Sequence, residues 1–437
     1  MAEKMKDSGI AWIGEMPEEW LVAPVSCMSN SRSGGTPDRN NMNYWDNGTI
    51  PWMSSGEVNK INVYETDEKI TEAATRGSSA KVIKKNAVMV ALNGQGKTKG
   101  MSAVLRIDSA CNQSLCAFSC HEERLYYEYL FWCFQSMYTY LRQMSGDDVR
   151  DGLAASYVRK RKIPVPPLSE QHAIAAYLDR KCGQIDDIIA DLQRQIEYLK
   201  SYKKSLISEI VTKGLNPDVL MKDSGIEWIG QIPEHWEISR LRYITSICSG
   251  ATPSKDNDEY WQGDVPWVSS QEVKTDILFD TSLHISEAAI KSCSTQLMPV
   301  GTLVMVVRSG ILQHTIPVAL LGVPATINQD VKAFSFTAKM LAGYFKYFVQ
   351  GHNDMLLHLL VKDKSTVESI DYDRLLSCKV SVPPISEQKQ IVKYLDEKCR
   401  TIDLLSSEKS TQIEIMKNHR KSVIYEYVTG KKRVKEV

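Results

Sequence analysis

The segment KNAVMVALNGQGKTKGMSAVL, residues 85–105, carries the residue types of a phosphate-binding loop. An apolar run leads into a glycine-rich turn that contains Gly96-Lys97-Thr98, and a Walker A loop uses such a tripeptide to hold nucleotide phosphates. The segment therefore raises two hypotheses. It is either the P-loop of an NTPase or a loop that uses glycine and lysine for another purpose.

The Walker A pattern in this segment is incomplete. The pattern needs a glycine at position 91, where the chain has Ala91, and it needs a helix after the lysine. The residues that follow, SAVLRI at 102–107, are typical of a β-strand instead. The NTPase hypothesis is therefore disfavoured, and Lys97 with its polar neighbours is free for another role.

The rest of the chain lacks common catalytic and metal-binding patterns. It has no HExxH, no GxSxG and no Asn-Pro-Pro-Tyr or Asp-Pro-Pro-Tyr motif. Ten cysteines are scattered without a CxxC pair, and the group Cys111, Cys116, Cys120 and His121 matches no usual zinc spacing. The sequence therefore offers no recognisable catalytic motif, and the cysteines are predicted to be buried free thiols, not metal ligands.

Composition limits the class of protein. The 437 residues are 43% hydrophobic and suffice for two or more domains, while the formal net charge is zero. The chain has neither a run of eighteen apolar residues nor an apolar N-terminal signal segment. These features predict a cytoplasmic protein in which bulk charge announces no nucleic-acid partner and any basic surface is local.

The sequence contains an internal repeat that fills about half of the chain. KDSGIAWIGEMPEEW at 6–20 recurs as KDSGIEWIGQIPEHW at 222–236, and VPPLSEQ at 165–171 recurs as VPPISEQ at 382–388. Shorter matches lie between them in the same order, among them SGGTP with SGATP and IPWMSSGEV with VPWVSSQEV. Ordered matches over half the chain indicate a duplicated domain pair. Near-identical frames around diverged interiors indicate one shared architectural role and two separate recognition roles.

A long helix is predicted after each Pro-Pro pair, with Ser169 capping the first helix and Gly214 ending it. Apolar residues recur every seventh position, with a companion row four residues on, as in a coiled coil. The main rows are Leu178, Ile185, Leu192, Leu199 and Leu206, and then Leu395, Ile402, Lys409, Met416 and Val423. The second helix makes the poorer seam, because Lys409, Ser406 and Arg420 interrupt its apolar rows. Each helix would be roughly 65 Å long, which suits a spacer. The two helices could pair with each other or with other subunits.

The regions between the helices contain β-branched runs, frequent glycine and proline, and short aromatic helices at 124–144 and 341–360. They predict mixed α/β globular domains and an α+β fold class. The predicted segments are a first globular domain with its frame motif at 1–165, a first spacer helix at 166–215, a second globular domain at 216–382 and a second spacer helix at 383–437.

This organisation resembles the specificity subunit of Type I restriction–modification enzymes. The resemblance rests on the frames KDSGIxWIGxxPxxW and PPxSEQ, on two variable globular halves and on two similar long helices, and it covers essentially the whole chain. It implies that each half is a target-recognition domain for one half of a bipartite, asymmetric, gapped DNA site. It also implies an internal pseudo-two-fold arrangement in which antiparallel helices hold the two domains apart.

The resemblance implies partners as well. The subunit would bind double-stranded DNA and two methyltransferase subunits, and restriction subunits would join them in the full complex. S-adenosylmethionine, ATP and Mg²⁺ would belong to those partners, which methylate adenine N6 and cut DNA in an ATP-dependent reaction. The specificity subunit itself would carry no catalytic site.

Three pairs of loops offer side chains that match base edges or phosphates. The first pair carries Asn93, Gln95, Lys97 and Lys99 in one half and Arg308, Ser309, Gln313 and His314 in the other. The second pair carries Ser54 and Ser55, and Ser269, Ser270 and Gln271, whose hydroxyls could equally cap a turn. The third pair carries Arg150, and Lys364, Ser365 and Thr366. The family commonly has a Gly-Ser-Thr-like element in this third loop, and Asp147-Asp148 depart from it.

Residues shared by both halves cannot read two different sequences. Asn112-Gln113 recurs as Asn328-Gln329 and is therefore predicted to support structure. The same reasoning predicts that the frame tryptophans are packing anchors, namely Trp12, Trp20, Trp228 and Trp236. Two alternatives stay open: a coiled-coil adaptor without a DNA role, and a specificity subunit of another restriction class with the same architecture.

Overall fold

The computed structural model describes residues 4–94, 96–143, 152–293, 295–362 and 367–434. The chain divides into two compact units, which we call the first unit (1–193 with 411–437) and the second unit (194–410). Each unit therefore contains one globular region together with a part of each long helix, and the units do not follow the four predicted segments in chain order.

The strands of the first globular region are β1 (Met5–Asp7), β2 (Glu15–Pro17), β3 (Leu21–Pro24), β4 (Ser29–Ser33), β5 (Ile50–Met53), β6 (Asn62–Val63), β7 (Glu68–Ile70), β8 (Val88–Ala91), β9 (Ser102–Leu105), β10 (Ala110–Cys111), β11 (Leu115–Cys120) and β12 (Lys162–Val165). Its helices are α1 (Val25–Met28), α2 (Glu72–Gly77), α3 (Tyr127–Gln143) and α4 (Ala155–Arg159), and the long helix α5 (Leu168–Lys213) follows.

The strands of the second globular region are β13 (Met221–Asp223), β14 (Gln231–Pro233), β15 (Glu237–Arg240), β16 (Thr245–Ser249), β17 (Val265–Val268), β18 (Ile277–Leu278), β19 (His284–Ile285), β20 (Leu303–Val306), β21 (Val318–Leu321), β22 (Thr326–Ile327), β23 (Val331–Phe336) and β24 (Lys379–Val382). Its helices are α6 (Glu287–Ser292), α7 (Ala342–Gly351), α8 (Asn353–Leu360) and α9 (Tyr372–Ser377), and the long helix α10 (Ile385–Val428) follows.

The two units repeat one sheet topology. Within the described residues, the larger sheet has the order β4-β11-β8-β9-β6 in the first unit and β16-β23-β20-β21-β18 in the second. A smaller sheet repeats as β10-β5-β7 and β22-β17-β19. The central strands β8 and β20 are buried at every residue, as their continuous apolar sequences require. The predicted mixed α/β domains and their internal duplication are confirmed.

The long helices begin and end close to the predicted positions. α5 begins at Leu168, so Ser169 lies in its first turn and is not its cap. Gly214 follows its last residue with a φ of 78°, a left-handed conformation that favours glycine and ends the helix. None of the described helices is long and apolar enough to cross a membrane.

In the first unit the two long helices pack against each other in antiparallel orientation. The guanidinium of Arg420 donates to the carboxylate of Asp186 at 2.9 Å. Further along, the rings of Tyr177 and Tyr427 lie with centroids 4.3 Å apart. Lower numbers on α5 thus face higher numbers on α10, which defines the antiparallel direction. The predicted seam residue Leu178 is fully buried in this unit.

The second unit repeats this helix pairing. Lys203 donates to Asp403 at 2.7 Å, and Lys409 donates to the side-chain oxygen of Gln195 at 2.5 Å. Asp403 is the sequence counterpart of Asp186, so each unit contains one ion pair at the same place in the seam. Lys203, Lys409 and Arg420, which interrupt the heptad pattern, are therefore partnered across the seam.

The frame motifs attach each globular region to the start of its long helix. The indoles of Trp20 and Trp236 are fully buried, and each donates at 3.0 Å to a glutamate of the PPxSEQ motif, Glu170 or Glu387. Trp20 and Trp236 are therefore packing anchors, as predicted. The recurrence of the two distant motifs is explained by this direct contact between them.

The glutamine of the PPxSEQ motif makes the second attachment. Gln171 is fully buried; its amide nitrogen donates to the carbonyl of Arg124, and its oxygen accepts from the backbone N–H of Tyr126. Gln388 makes the same bonds with Lys339 and Leu341. The amide therefore satisfies backbone groups that would otherwise be buried without a partner, which is costly.

The helix seam can be tested with one buried and one exposed leucine of α10. Leu395 is fully buried and Leu404 is 57% exposed. Leu395→Ala is expected to lower the free energy of unfolding by about 2–5 kcal/mol, because it leaves a cavity. Leu404→Ala should cost less than about 0.5 kcal/mol. Urea unfolding followed by circular dichroism measures both, and equal losses would contradict the seam.

Candidate nucleic-acid interface

A pair of parallel strands brings two predicted loops of the first unit to one edge. β5 and β10 run parallel, and the backbone N–H of Asn112 donates to the carbonyl of Met53 at 3.0 Å. Ser54-Ser55 follows β5, and Asn112-Gln113 follows β10. The carboxyl ends of parallel strands open at the same edge of a sheet, which is a common position for ligand-binding loops.

The other two predicted loops of the first unit reach the same edge. The backbone N–H of Leu92 donates to the carbonyl of Ser114 at 2.8 Å, which places the loop that starts at Asn93 beside Gln113. The N–H of Leu153 donates to the carbonyl of Leu92 at 2.8 Å. This bond places the described end of the third loop there as well.

The second unit builds the same edge. β17 and β22 run parallel, and the N–H of Asn328 donates to the carbonyl of Val268 at 3.0 Å. The N–H of Val307 donates to the carbonyl of Asp330 at 2.8 Å, and the N–H of Ser309 donates to the carbonyl of Glu368 at 3.1 Å. Loops that are distant in sequence therefore meet in both units.

At this edge the second unit has a cleft of about 530 Å³. Ser270 and Gln271 line it from one predicted loop, and Ser309 lines it from another. Gln271 is exposed, and its side chain makes no hydrogen bond to the described residues. Its amide can therefore both donate and accept, which is the pattern that matches the major-groove edge of adenine.

The predicted contact residues differ in exposure. Six described candidates are exposed, namely Asn93, Lys97, Gln271, Arg308, Gln313 and His314. Five serines are partly exposed, namely Ser54, Ser55, Ser269, Ser270 and Ser309. Five candidates lie outside the described residues, namely Gln95, Arg150, Lys364, Ser365 and Thr366.

Three candidates have roles within the fold. Lys99 is only 7% exposed, so most of its side chain packs within the fold, and the contact predicted at Lys99 stays a prediction. Ser54 precedes a short 3₁₀ helix, and its backbone N–H donates to Glu57 at 2.7 Å, which favours turn capping. The amide of Gln313 donates to Glu368 at 2.6 Å.

The glycine-rich loop of the first unit is held through its carbonyl groups. The hydroxyl of Tyr138 donates to the carbonyl of Lys97 at 2.6 Å, and Arg142 donates to that of Gly96 at 2.9 Å. The strand β9 follows the loop, where a Walker A loop requires a helix. The P-loop hypothesis is therefore wrong in geometry, and the exposed side chain of Lys97 stays at the tip.

An ion pair between a buried lysine and a partly exposed aspartate fixes one wall of the cleft. Lys346 on α7 is 3% exposed, and its Nζ lies 2.9 Å from Asp276, which lines the cleft. Gln350 donates to the other carboxylate oxygen of Asp276 at 2.9 Å. Burial by itself raises the pKa of Asp276, but Lys346 and Gln350 outweigh it, so the pKa lies below its usual value.

Sequence reasoning missed this pair, although a signal was present. Lys346 stands inside the apolar run GYFKYFVQ, and a lysine in a core helix needs a counter-charge. Its partner lies 70 residues earlier and could not be chosen from sequence. The described residues contain no group of three or more His, Cys, Asp or Glu side chains placed to hold a metal ion.

Comparison with known proteins assigns the family. The model of the Type I restriction modification DNA specificity domain matches twice, at residues 17–198 and 233–415. The chain belongs to this family. Its two DNA specificity domains each match one globular region and part of the long helix that follows.

Relatives in the family agree over different lengths. The Type I restriction enzyme EcoR124I/EcoR124II specificity subunit of Escherichia coli is 29% identical over 287 residues, which is 64% of this chain and 65% of that relative. The match thus spans just under two thirds of the E. coli subunit. The Type I restriction enzyme MjaIX specificity subunit of Methanocaldococcus jannaschii is 24% identical over 448 residues, which is 97% of this chain and 96% of that relative.

A solved structure shares the fold. It concerns complex assembly and conformational transition of the type I R-M system, and its matching chain has a TM-score of 0.74 at 16% identity. The similarity covers 94% of this chain and 98% of that chain. At this identity the comparison establishes the fold alone.

The ion pair beneath the cleft of this specificity subunit can be tested by Asp276→Asn, which leaves Lys346 buried without a counter-charge. We expect a loss of about 2 kcal/mol, below the roughly 3–5 kcal/mol of fully buried pairs, because Asp276 is 45% exposed. Hydrogen exchange of the α7 amides measures the loss.

The effect should depend on pH. Because the folded pKa of Asp276 is depressed, its contribution is present above about pH 4 and is lost as the pH falls through the folded pKa. The deficit of Asp276→Asn should therefore shrink on acidification. Glu237→Gln, in an exposed pair with Lys339, is the control and should cost less than about 0.5 kcal/mol. Equal effects of both changes would contradict the role of the buried pair.

Proposed function

We propose that this specificity subunit reads a bipartite, asymmetric, gapped DNA site, with one half-site bound by each unit. The observation that carries the proposal is the loop edge beside the parallel strands, which has the same backbone plan in both units and different side chains at its tips. Asn93 and Lys97 stand at the tip in the first unit, where the second has Arg308 and His314. A common scaffold with different tips suits the reading of two different sequences.

Two recognition domains add their discrimination. A small domain contacts only a few base pairs, and mismatch costs of about 1–3 kcal/mol per base pair add for separated positions. The long helices α5 and α10 would fix the number of unspecified base pairs between the half-sites, as dimer geometry fixes half-site spacing in other DNA-binding proteins.

The chemical steps would belong to partner subunits. The subunit would dock two methyltransferase subunits, and restriction subunits in the full complex, while S-adenosylmethionine, ATP and Mg²⁺ would act in those partners. Support comes from membership of the family and from relatives described as specificity subunits of Type I restriction enzymes. The sequence also lacks the methyltransferase and nucleotide-binding motifs that such chemistry would need.

Mapping methylated adenines in a host that expresses this subunit with its methyltransferase tests the proposal. The expected result is one gapped motif with two specified halves. Replacing residues 93–99 by a Gly/Ser segment should change or abolish only the first unit's half. Equal loss of both halves would contradict modular reading, and the absence of any motif would favour the coiled-coil adaptor.

A single residue can be tested in the second unit. Gln271→Ala should relax one position of that unit's half-site, with a loss of about 1–3 kcal/mol for the preferred base, because a bidentate amide contact is removed. Gln231→Ala, an exposed glutamine on β14, serves as the matched control and should leave the motif unchanged. Competition binding with duplexes that differ at one position measures both variants.

A further inference from the structure

We propose that Gln113 and Gln329 are a duplicated pair of DNA-backbone contacts, each donating its side-chain amide to a phosphate regardless of sequence. The inference rests on the proposed function, because it requires both units to bind DNA. It assigns a role to residues that recur in both halves and therefore cannot distinguish two different half-sites.

The two glutamines have the same local geometry. The hydroxyl of Thr36 donates to the side-chain oxygen of Gln113 at 2.5 Å, and that of Thr252 donates to Gln329 at 2.7 Å. Both glutamines are exposed, and their amide nitrogens make no hydrogen bond to the described residues. Since the threonine occupies the oxygen, each amide presents its two N–H donors outward in a fixed orientation.

The scaffold around each glutamine explains its neighbours and the orientation of its oxygen, but not the role of its amide N–H groups. Asn112 and Asn328 fold their turns by accepting the backbone N–H two residues ahead, at 3.1 and 3.0 Å. Gly34 and Gly250 let the threonine loops lie close against β10 and β22, the strands that precede the asparagines. A Cβ at either glycine would lie about 2 Å from a backbone carbonyl oxygen of that strand. Turn hydrogen bonds and close packing thus account for the asparagines and glycines, and the threonine bonds account for the glutamine oxygens. The outward N–H donors of the two amides are left for a ligand.

The position of the glutamines favours phosphate as the ligand. Each directly follows an asparagine whose backbone N–H donates to the last residue of β5 or β17. The glutamine therefore stands at the same edge as the loops whose tips differ between the units. Phosphate contacts position a protein on DNA without carrying sequence information. Neutral amide donors also suit a chain whose formal net charge is zero.

Binding of the full chain with its methyltransferase partner to its own gapped duplex and to an unrelated duplex tests the inference. Gln113→Ala and Gln329→Ala should each weaken binding about 2–10-fold, equally on both duplexes, and the double variant should combine the losses. The methylated motif should stay unchanged. The slope of affinity against salt should stay unchanged too, because a neutral amide releases no counterion.

Two further variants sharpen the test. Gln113→Lys should restore or exceed wild-type affinity and steepen the salt slope by about 1, since it adds one ionic phosphate contact. Gln262→Ala is the matched control, because Gln262 is exposed and its first-half counterpart is Asp46, so the position is not shared. It should bind as the wild type does.

The outcomes separate this inference from the proposed function. If the wild type reads a gapped site and the alanine variants keep full affinity, the phosphate contact is refuted and the proposed function stands. Altered base preference in these variants, or faster hydrogen exchange at residues 33–37 with affinity not restored by lysine, would also overturn it. A wild type that reads no gapped site would refute the proposed function itself.

Discussion

A partly buried hydrogen bond between an indole and a carboxylate fixes where each globular region sits on its long helix. Trp20 donates to Glu170, and Trp236 donates to Glu387, in the first turn of α5 and α10. Burial raises the pKa of Glu170, although Arg433 and Trp20 oppose that shift. A carboxylate that is largely removed from water needs such partners, so the indole and the glutamate constrain each other. The frame motifs recur together because each contributes side chains to this joint.

The helix seam combines apolar rows with polar pairs that set its register. The Asp186–Arg420 and Asp403–Lys203 ion pairs occupy equivalent positions in the two units. Such pairs contribute little net stability, but a shifted register would separate charges that sit beside an apolar seam. The apolar rows supply the stabilisation, and the polar interruptions define one alignment of the helices.

The loop edge beside the parallel strands depends on one short pair of parallel strands in each small sheet. These strands carry loops that are far apart in sequence to one place, where Ser54-Ser55 meets Asn112-Gln113 and Asn93 in the first unit. The strands must keep their apolar residues because they are buried, whereas the loop tips face solvent and are free to differ. A neutral chain can present a DNA-binding surface in this way, since the donors and acceptors are local.

The sequence by itself determined the duplication, the heptad rows, the anchoring role of Trp20 and Trp236 and the strand nature of residues 102–105, because periodicity and repetition are properties of the chain. Only the tertiary structure decided that Lys99 is buried while Lys97 is exposed, that Asp276 partners Lys346, and that three separate loops share one edge. Those outcomes depend on contacts between residues tens of positions apart, and no local pattern specifies which distant partner a buried charge or a strand end will meet.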